Sequence, residues 1–233
     1  MLQSDPFAHF ANEILPTDLS VSSLTRMQTL ARIHCVKKGE LVELNGQSER
    51  WVVFLSSGAA KLVAHVGTDR DQIICFAFGG ELLALSGSSQ SQYSLHAMTA
   101  CHLVAFPADE LTQTATENSD AARIILESSF AALDRAREKS VLLGRKTASE
   151  RMASFLLSMA DRIGKSCGKT ISLHLPMTRR EIAESLGLTI ETVSRQLTVL
   201  RSHSIIRTQG RSEICILDTA QLGQRAALLD CLG

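Results

Sequence analysis

No stretch of roughly 18 or more consecutive apolar residues occurs in the 233-residue sequence, which excludes a transmembrane helix. The N-terminus lacks the basic start and apolar stretch of a signal peptide. Both absences predict a cytoplasmic location without membrane contact. Aromatic residues are few, with eight Phe, one Trp and one Tyr, and there are four Pro. The six cysteines (Cys35, Cys75, Cys101, Cys167, Cys215, Cys231) form no CxxC pair, which argues against a zinc finger or a disulfide scaffold. Motifs of the common enzyme classes are missing too: there is no G-x-S-x-G, Walker loop, HExxH or full dinucleotide fingerprint. The sequence predicts no enzyme.

What is present is a globular composition, with 45% hydrophobic and 21% charged residues, enough to bury a core. Net charge is zero but unevenly spread. From Thr147 onward there are 11 Lys/Arg against 8 Asp/Glu, and before it 13 against 16. A mildly basic C-terminal part fits contact with DNA.

The most informative stretch is TRREIAESLGLTIETVSRQLTVL, Thr178 to Leu200. Ile182, Ala183 and Leu186 make one apolar stripe, and Val193, Leu197 and Leu200 another at helical spacing. The small Ala183 permits a close helix crossing, and Gly187 suits the sharp turn between the two helices. Ile190, Glu191, Thr192, Ser194, Arg195 and Thr198 lie away from these stripes. That pattern predicts a helix-turn-helix whose second helix enters the major groove of DNA. Arg195 has the donor fork for guanine, Glu191 an acceptor for the cytosine amino group, and Ile190 an apolar surface for a thymine methyl. Thr178 and Arg179 open the first helix, where phosphate contacts are expected. Beyond it, Ile205 to Thr208 and Glu213 to Leu217 flank Gln209-Gly210-Arg211-Ser212, which predicts a β-hairpin wing. Arg207 and Arg211 would reach phosphates from it. Cys215 falls in the same wing, where oxidation would add bulk and charge near the DNA.

Here the sequence resembles a known family. LTIETVSRQL is similar to the recognition helix of the CRP/FNR family of bacterial transcription regulators. Glu191, Ser194 and Arg195 match the E-x-x-S-R pattern of its FNR and FixK branch. The resemblance implies a homodimer on palindromes of TTGAT-like half-sites, acting through contact with RNA polymerase. It also implies an α+β fold: an N-terminal double-stranded β-helix domain like those that bind cyclic nucleotides, a long dimerisation helix and a C-terminal winged helix-turn-helix domain. The expected boundaries are 1–118, 119–146 and 147–233.

The remaining patterns agree with that division. Up to about residue 30 the chain reads as a helical lead-in, with Pro16 and Asp18 opening a helix that presents Leu19, Leu24 and Leu30. From Ile33 to Pro107, short strands alternate with Gly and Ser, starting with paired strands around the turns at Lys38-Gly39 and Asn45-Gly46. Residues 119–146 form a long helix in which Ile124, Phe130, Leu133 and Leu143 are read as one stripe facing a second copy. Gly144 to Leu157, GRKTASERMASFLL, resembles the family's passage from dimer helix to DNA-binding domain. Thr147 and Glu150 form a capping box there.

The effector is the open question. Gly80-Glu81-Leu82 keeps the turn found in cyclic-AMP binders of the family, but Ser86 to Leu95 holds no Arg or Lys for a phosphate. Ala136-Arg137 replaces the Thr-Ser pair that meets adenine. No cysteine precedes Cys35, which argues against the oxygen-sensing branch's iron–sulfur cluster. His9, His34, His65, His96, His102, Cys35, Cys75 and Cys101 are candidate haem ligands. The favoured reading is a regulator that binds DNA without a cofactor. The alternative is a haem- or small-ligand-dependent gas or redox sensor of the same fold.

Overall fold

The computed structural model describes residues 5–44, 48, 50–67, 71–86, 92–116 and 119–226. It divides into two compact units, Met1–Arg135 and Ala136–Gly233.

The first unit starts with two helices, α1 (Pro6–Ile14) and α2 (Val21–Leu30). Asp5 caps α1 by accepting from the Phe7 N–H, with Pro6 in the first turn where its missing donor costs nothing. The expected helix start at Pro16 and Asp18 is corrected: Ser20 is the cap of α2, its hydroxyl accepting from the Ser23 N–H. Seven strands follow: β1 (Arg32–Val36), β2 (Arg50–Ser57), β3 (Ala59–His65), β4 (Asp71–Phe78), β5 (Glu81–Ser86), β6 (Tyr93–Ala97) and β7 (Cys101–Pro107). They pair antiparallel in two sheets, β1-β7-β2-β5 and β4-β3-β6. The paired strands expected around Lys38-Gly39 do not form. Among the described residues there, only an isolated bridge, Leu41 to His96, occurs, and Asn45-Gly46 lies outside them.

The near-continuous apolar run of β2 follows from burial on both faces. Trp51, Val53 and Leu55 join Leu103, Ala105, Ala60 and Leu95 in one core cluster. Phe54, Val104 and Phe106 join a second cluster with Phe7, Phe10 and Met27 of the leading helices. Half of the scarce phenylalanines thus meet in one place; Phe10 and Phe106 rings are 4.7 Å apart. Helix α3 (Ala108–Thr116), absent from the sequence reading, adds Leu111 to this cluster.

Helix α4 (Ser119–Arg145) leads into the second unit. There follow α5 (Ala148–Ile163), β8 (Lys165–Cys167), β9 (Thr170–His174), α6 (Arg179–Leu186), α7 (Ile190–Ser202), β10 (Ile206–Gln209), β11 (Glu213–Ile216) and α8 (Thr219–Arg225). The four strands make one antiparallel sheet, β10-β11-β9-β8. The capping box at Thr147 and Glu150 is formed. Yet the second unit starts earlier than residue 147, because Lys139 and Lys146 are bonded to it: Lys139 Nζ donates to Ser185 Oγ at 3.0 Å, and Lys146 Nζ to Ser154 Oγ at 2.8 Å. No helix among the described residues is long and apolar enough to cross a membrane.

Two imidazoles of the first unit give it a pH dependence. Burial, followed by Arg32, lowers the His34 pKa from its ordinary value. His34 Nε2 is buried with no hydrogen-bond partner among the described residues. Burial, then Lys61 and His65, lower that of His96 against the opposing pull of Asp71. Both groups bind protons more readily when unfolded. The stability they contribute is therefore full above about pH 6.5 and declines as pH falls below it. Trp51 is the single tryptophan and is buried in this unit. Its fluorescence in urea should report a lower midpoint at about pH 5.5 than at about pH 7.5, and His34→Leu should shrink that difference.

Candidate nucleic-acid interface

Each end of the two-helix motif is fixed by a local bond that the sequence specifies. Thr178 caps α6: its hydroxyl accepts from the Glu181 N–H at 3.2 Å, and the Glu181 carboxylate accepts from the Thr178 N–H at 2.7 Å. Gly187 ends α6 with φ 61° and ψ 41°, the left-handed region where other residues are strained. Thr189 then caps α7, accepting from the Thr192 N–H at 3.2 Å. Ile182, Ala183, Leu186, Val193, Leu197 and Leu200 are all buried, as the two stripes predict.

That packing turns the opposite face of α7 outward. Ile190, Glu191 and Arg195 are exposed and Ser194 is half-buried. Among the described residues no hydrogen bond or ion pair holds the Arg195 guanidinium. Hydrogen bonds from its own backbone N–H and from the Thr189 hydroxyl lower the Glu191 pKa, which keeps this surface acceptor charged. Arg179 donates from Nη1 to Ser194 Oγ at 3.2 Å, so the first helix touches the reading face of the second. Thr192 turns its hydroxyl to that of Thr189, 3.1 Å away, within the cap. The Thr178 hydroxyl donates to Glu181 at 2.9 Å, so its cap role adds to the phosphate role expected of it.

The wing forms as expected. β10 and β11 pair from Ile206 opposite Ile216 to Gln209 opposite Glu213, around Gly210 at φ 63°. Arg207 and Arg211 are exposed on it. Strand β9, not expected from the sequence, pairs with the wing strand β11, and just after it the Leu175 N–H donates to Ser212 O at 2.8 Å. Cys215 is half-buried in β11, opposite Arg207 on one side and Ser172 on the other.

The stripe expected on α4 is partly redrawn. Phe130 and Leu133 are 54% and 45% exposed, and Leu126 and Val141, not singled out before, are exposed with them. At about 100° per residue these four fall within one arc, whereas Leu143 lies on another face. Leu143 is half-buried, and a Cβ at Gly187 would stand 3.6 Å from its Cδ2, so it serves the DNA-binding unit. The side chain of Ile124 lies outside the described residues.

The candidate haem ligands are spread over the first unit. His9 bonds Ser56 Oγ at 2.9 Å, and His102 bonds Ser57 Oγ at 3.0 Å. His65 stands 2.8 Å from Asp71 Oδ1 and 2.6 Å from Ser94 Oγ, which in turn is 2.8 Å from His96. Cys35 is exposed, Cys75 half-buried and Cys101 buried, its thiol pKa pushed up by burial. At the expected cyclic-nucleotide turn, Gly80 has φ 91° and Glu81 accepts from the Phe78 N–H at 3.1 Å.

A family model described as a Crp-like helix-turn-helix domain matches residues 150–225. The nitrogen fixation regulation protein FixK of Bradyrhizobium diazoefficiens is 31% identical over 229 residues, covering 96% of each chain. FixK of Azorhizobium caulinodans is 36% identical over 172 residues, 73% of this chain and 69% of its own. The chain belongs to the CRP/FNR family, in its FixK-like branch. The fold agrees with this: the structure of FixK2 from Bradyrhizobium japonicum superposes with a TM-score of 0.72 at 28% identity, over 84% of this chain and 98% of that one. As a CRP/FNR protein the chain is a DNA-binding transcription regulator and not an enzyme.

Proposed function

We propose that this regulator binds TTGAT-like palindromes as a homodimer, without a cofactor, and controls transcription in the cytoplasm through contact with RNA polymerase. The observation that supports the reading is the outward face of α7, where no bond among the described residues holds the Arg195 guanidinium, while Glu191 and Thr192 are tied to the Thr189 cap. An unspent guanidinium beside a charged Glu191 suits a G·C pair: Arg195 to guanine, Glu191 to the cytosine amino group across it. Ser194 and Ile190 lie against neighbouring thymines. Arg179, Arg207 and Arg211 hold phosphates and set register without reading sequence. Two half-sites then lie about one helical turn, ~34 Å, apart. The exposed Leu126, Phe130, Leu133 and Val141 supply the seam for the second copy.

Operators carrying each of the four bases at the third half-site position test this. Arg195→Ala should cost roughly 1–3 kcal/mol per half-site with guanine there and little with the other bases. Equal losses on all four would make Arg195 a phosphate contact and defeat the assignment.

A further inference from the structure

Arg151, the fourth residue of α5, is half-buried, and each of its three guanidinium nitrogens donates to a main-chain carbonyl. Nε reaches Lys146 O, Nη2 reaches Leu143 O and Nη1 reaches Leu186 O, each at 2.9 Å. Leu143 lies in the last turn of α4, and Leu186 is the last residue of α6. Carbonyls at helix ends lack intrahelical partners, and a cation beside them also meets the negative end of each helix dipole. One planar fork therefore closes two helices at once, which an ammonium point charge does not reproduce. The surroundings make the same connection. A Cβ on Gly187 would stand 3.4 Å from Arg151 Nη1 and 3.6 Å from Leu143 Cδ2, so the turn between α6 and α7 rests on both. Lys139, one turn earlier on α4, donates to the buried Ser185 of α6.

We infer that Arg151 is the positioning residue that locks the end of α4 to the helix-turn-helix, so that the dimer accepts one spacing between half-sites. The inference rests on the dimer reading above. In a dimer joined along α4, the distance between the two α7 helices depends on how rigidly each DNA-binding unit is held to α4. Changing the operator spacer by one base pair moves a half-site by about 3.4 Å and turns it by about 35°. A rigid lock rejects such a site. A loosened one swivels to meet it, while Arg195 still reads its guanine.

The test uses the full chain, its Arg151→Gln and Arg151→Lys variants, and palindromes with the spacer at its preferred length or one base pair shorter or longer. Each operator is also made with guanine replaced at the third half-site position. Circular dichroism establishes that each variant is folded. Arg151→Gln should lose roughly tenfold of the parent's preference for one spacer while keeping its discrimination at the third base, and Arg151→Lys should recover only part of that preference. A folded Gln variant with the parent's spacer preference overturns the lock. Loss of spacer and base discrimination together also overturns it, since that marks general disruption. Should the Gln variant not fold, the Lys variant decides by the same comparison. A parent that sediments as a dimer but shows no spacer preference also overturns the lock, whereas a parent that sediments as a monomer would defeat the dimer reading itself.

Discussion

Phe130→Asp is expected to leave the chain folded but monomeric, with operator binding largely lost. Two features of α4 separate these effects. Phe130 is 54% exposed in the single chain, so a carboxylate there stays hydrated and the monomer loses little. In a seam shared with Leu126, Leu133 and Val141 of a second copy, two such carboxylates face each other across the axis. An uncompensated buried charge costs roughly 3–5 kcal/mol, and a two-fold interface carries it twice. Sedimentation at micromolar concentration should give a dimer for the parent and a monomer for the variant, with circular dichroism unchanged. Affinity for a palindrome should fall toward that for a single half-site. Leu143→Asp separates the stripes, because Leu143 packs by Gly187: it should instead lower the stability of the DNA-binding unit. A dimeric Phe130→Asp variant would place the interface elsewhere.

The recognition motif was legible because its determinants are local. Gly187 ends the first helix as its place in the sequence predicts, and the Thr178–Glu181 box and the Thr189 cap, which the structure adds, likewise act within about one helical turn. Two helices whose starts were not placed from the sequence carried similar signals: Asp5-Pro6 before Phe7 and Phe10 for α1, within the expected helical lead-in, and Asp109-Glu110 in the first turn of α3, which was not expected. Their shortness hid them beside the longer periodic stretches. β8 had no such signal, since all three of its residues are exposed and show no alternation. What sequence could not supply is long-range. Leu143 was assigned to the dimer stripe because its partner, the turn at Gly187, lies 44 positions away. Arg151 passed unnoticed because its acceptors are backbone carbonyls, which carry no residue signature. The surroundings of His34 are long-range too: it lies on β1 opposite Leu103 of β7, and burial followed by Arg32 lowers its pKa, which no local pattern shows.

The largest expected stability loss is at Gly58, in the connection between β2 and β3. Its φ of 95° is strained for any residue with a side chain, which alone costs roughly 1–2 kcal/mol. A Cβ there would also collide with Ala100 O and come within 2.8 Å of Cys101 Sγ. Neither neighbour can yield easily. Cys101 is buried with its thiol bonded to Ala59 O at 3.2 Å, and Gly58 O itself accepts from the Gly79 N–H at 3.1 Å. Gly58→Ala should therefore destabilise the first unit by more than the conformational term, about 3 kcal/mol or above, in line with overpacked core sites. Gly39 provides the control. Its φ is 87° and nothing lies within 4 Å of a Cβ placed on it, so Gly39→Ala should lose only the conformational term. Urea unfolding followed by Trp51 fluorescence reads both variants in the same unit. Equal midpoints would show that the β2–β3 turn rearranges around the methyl group, and the collision would then contribute nothing to stability.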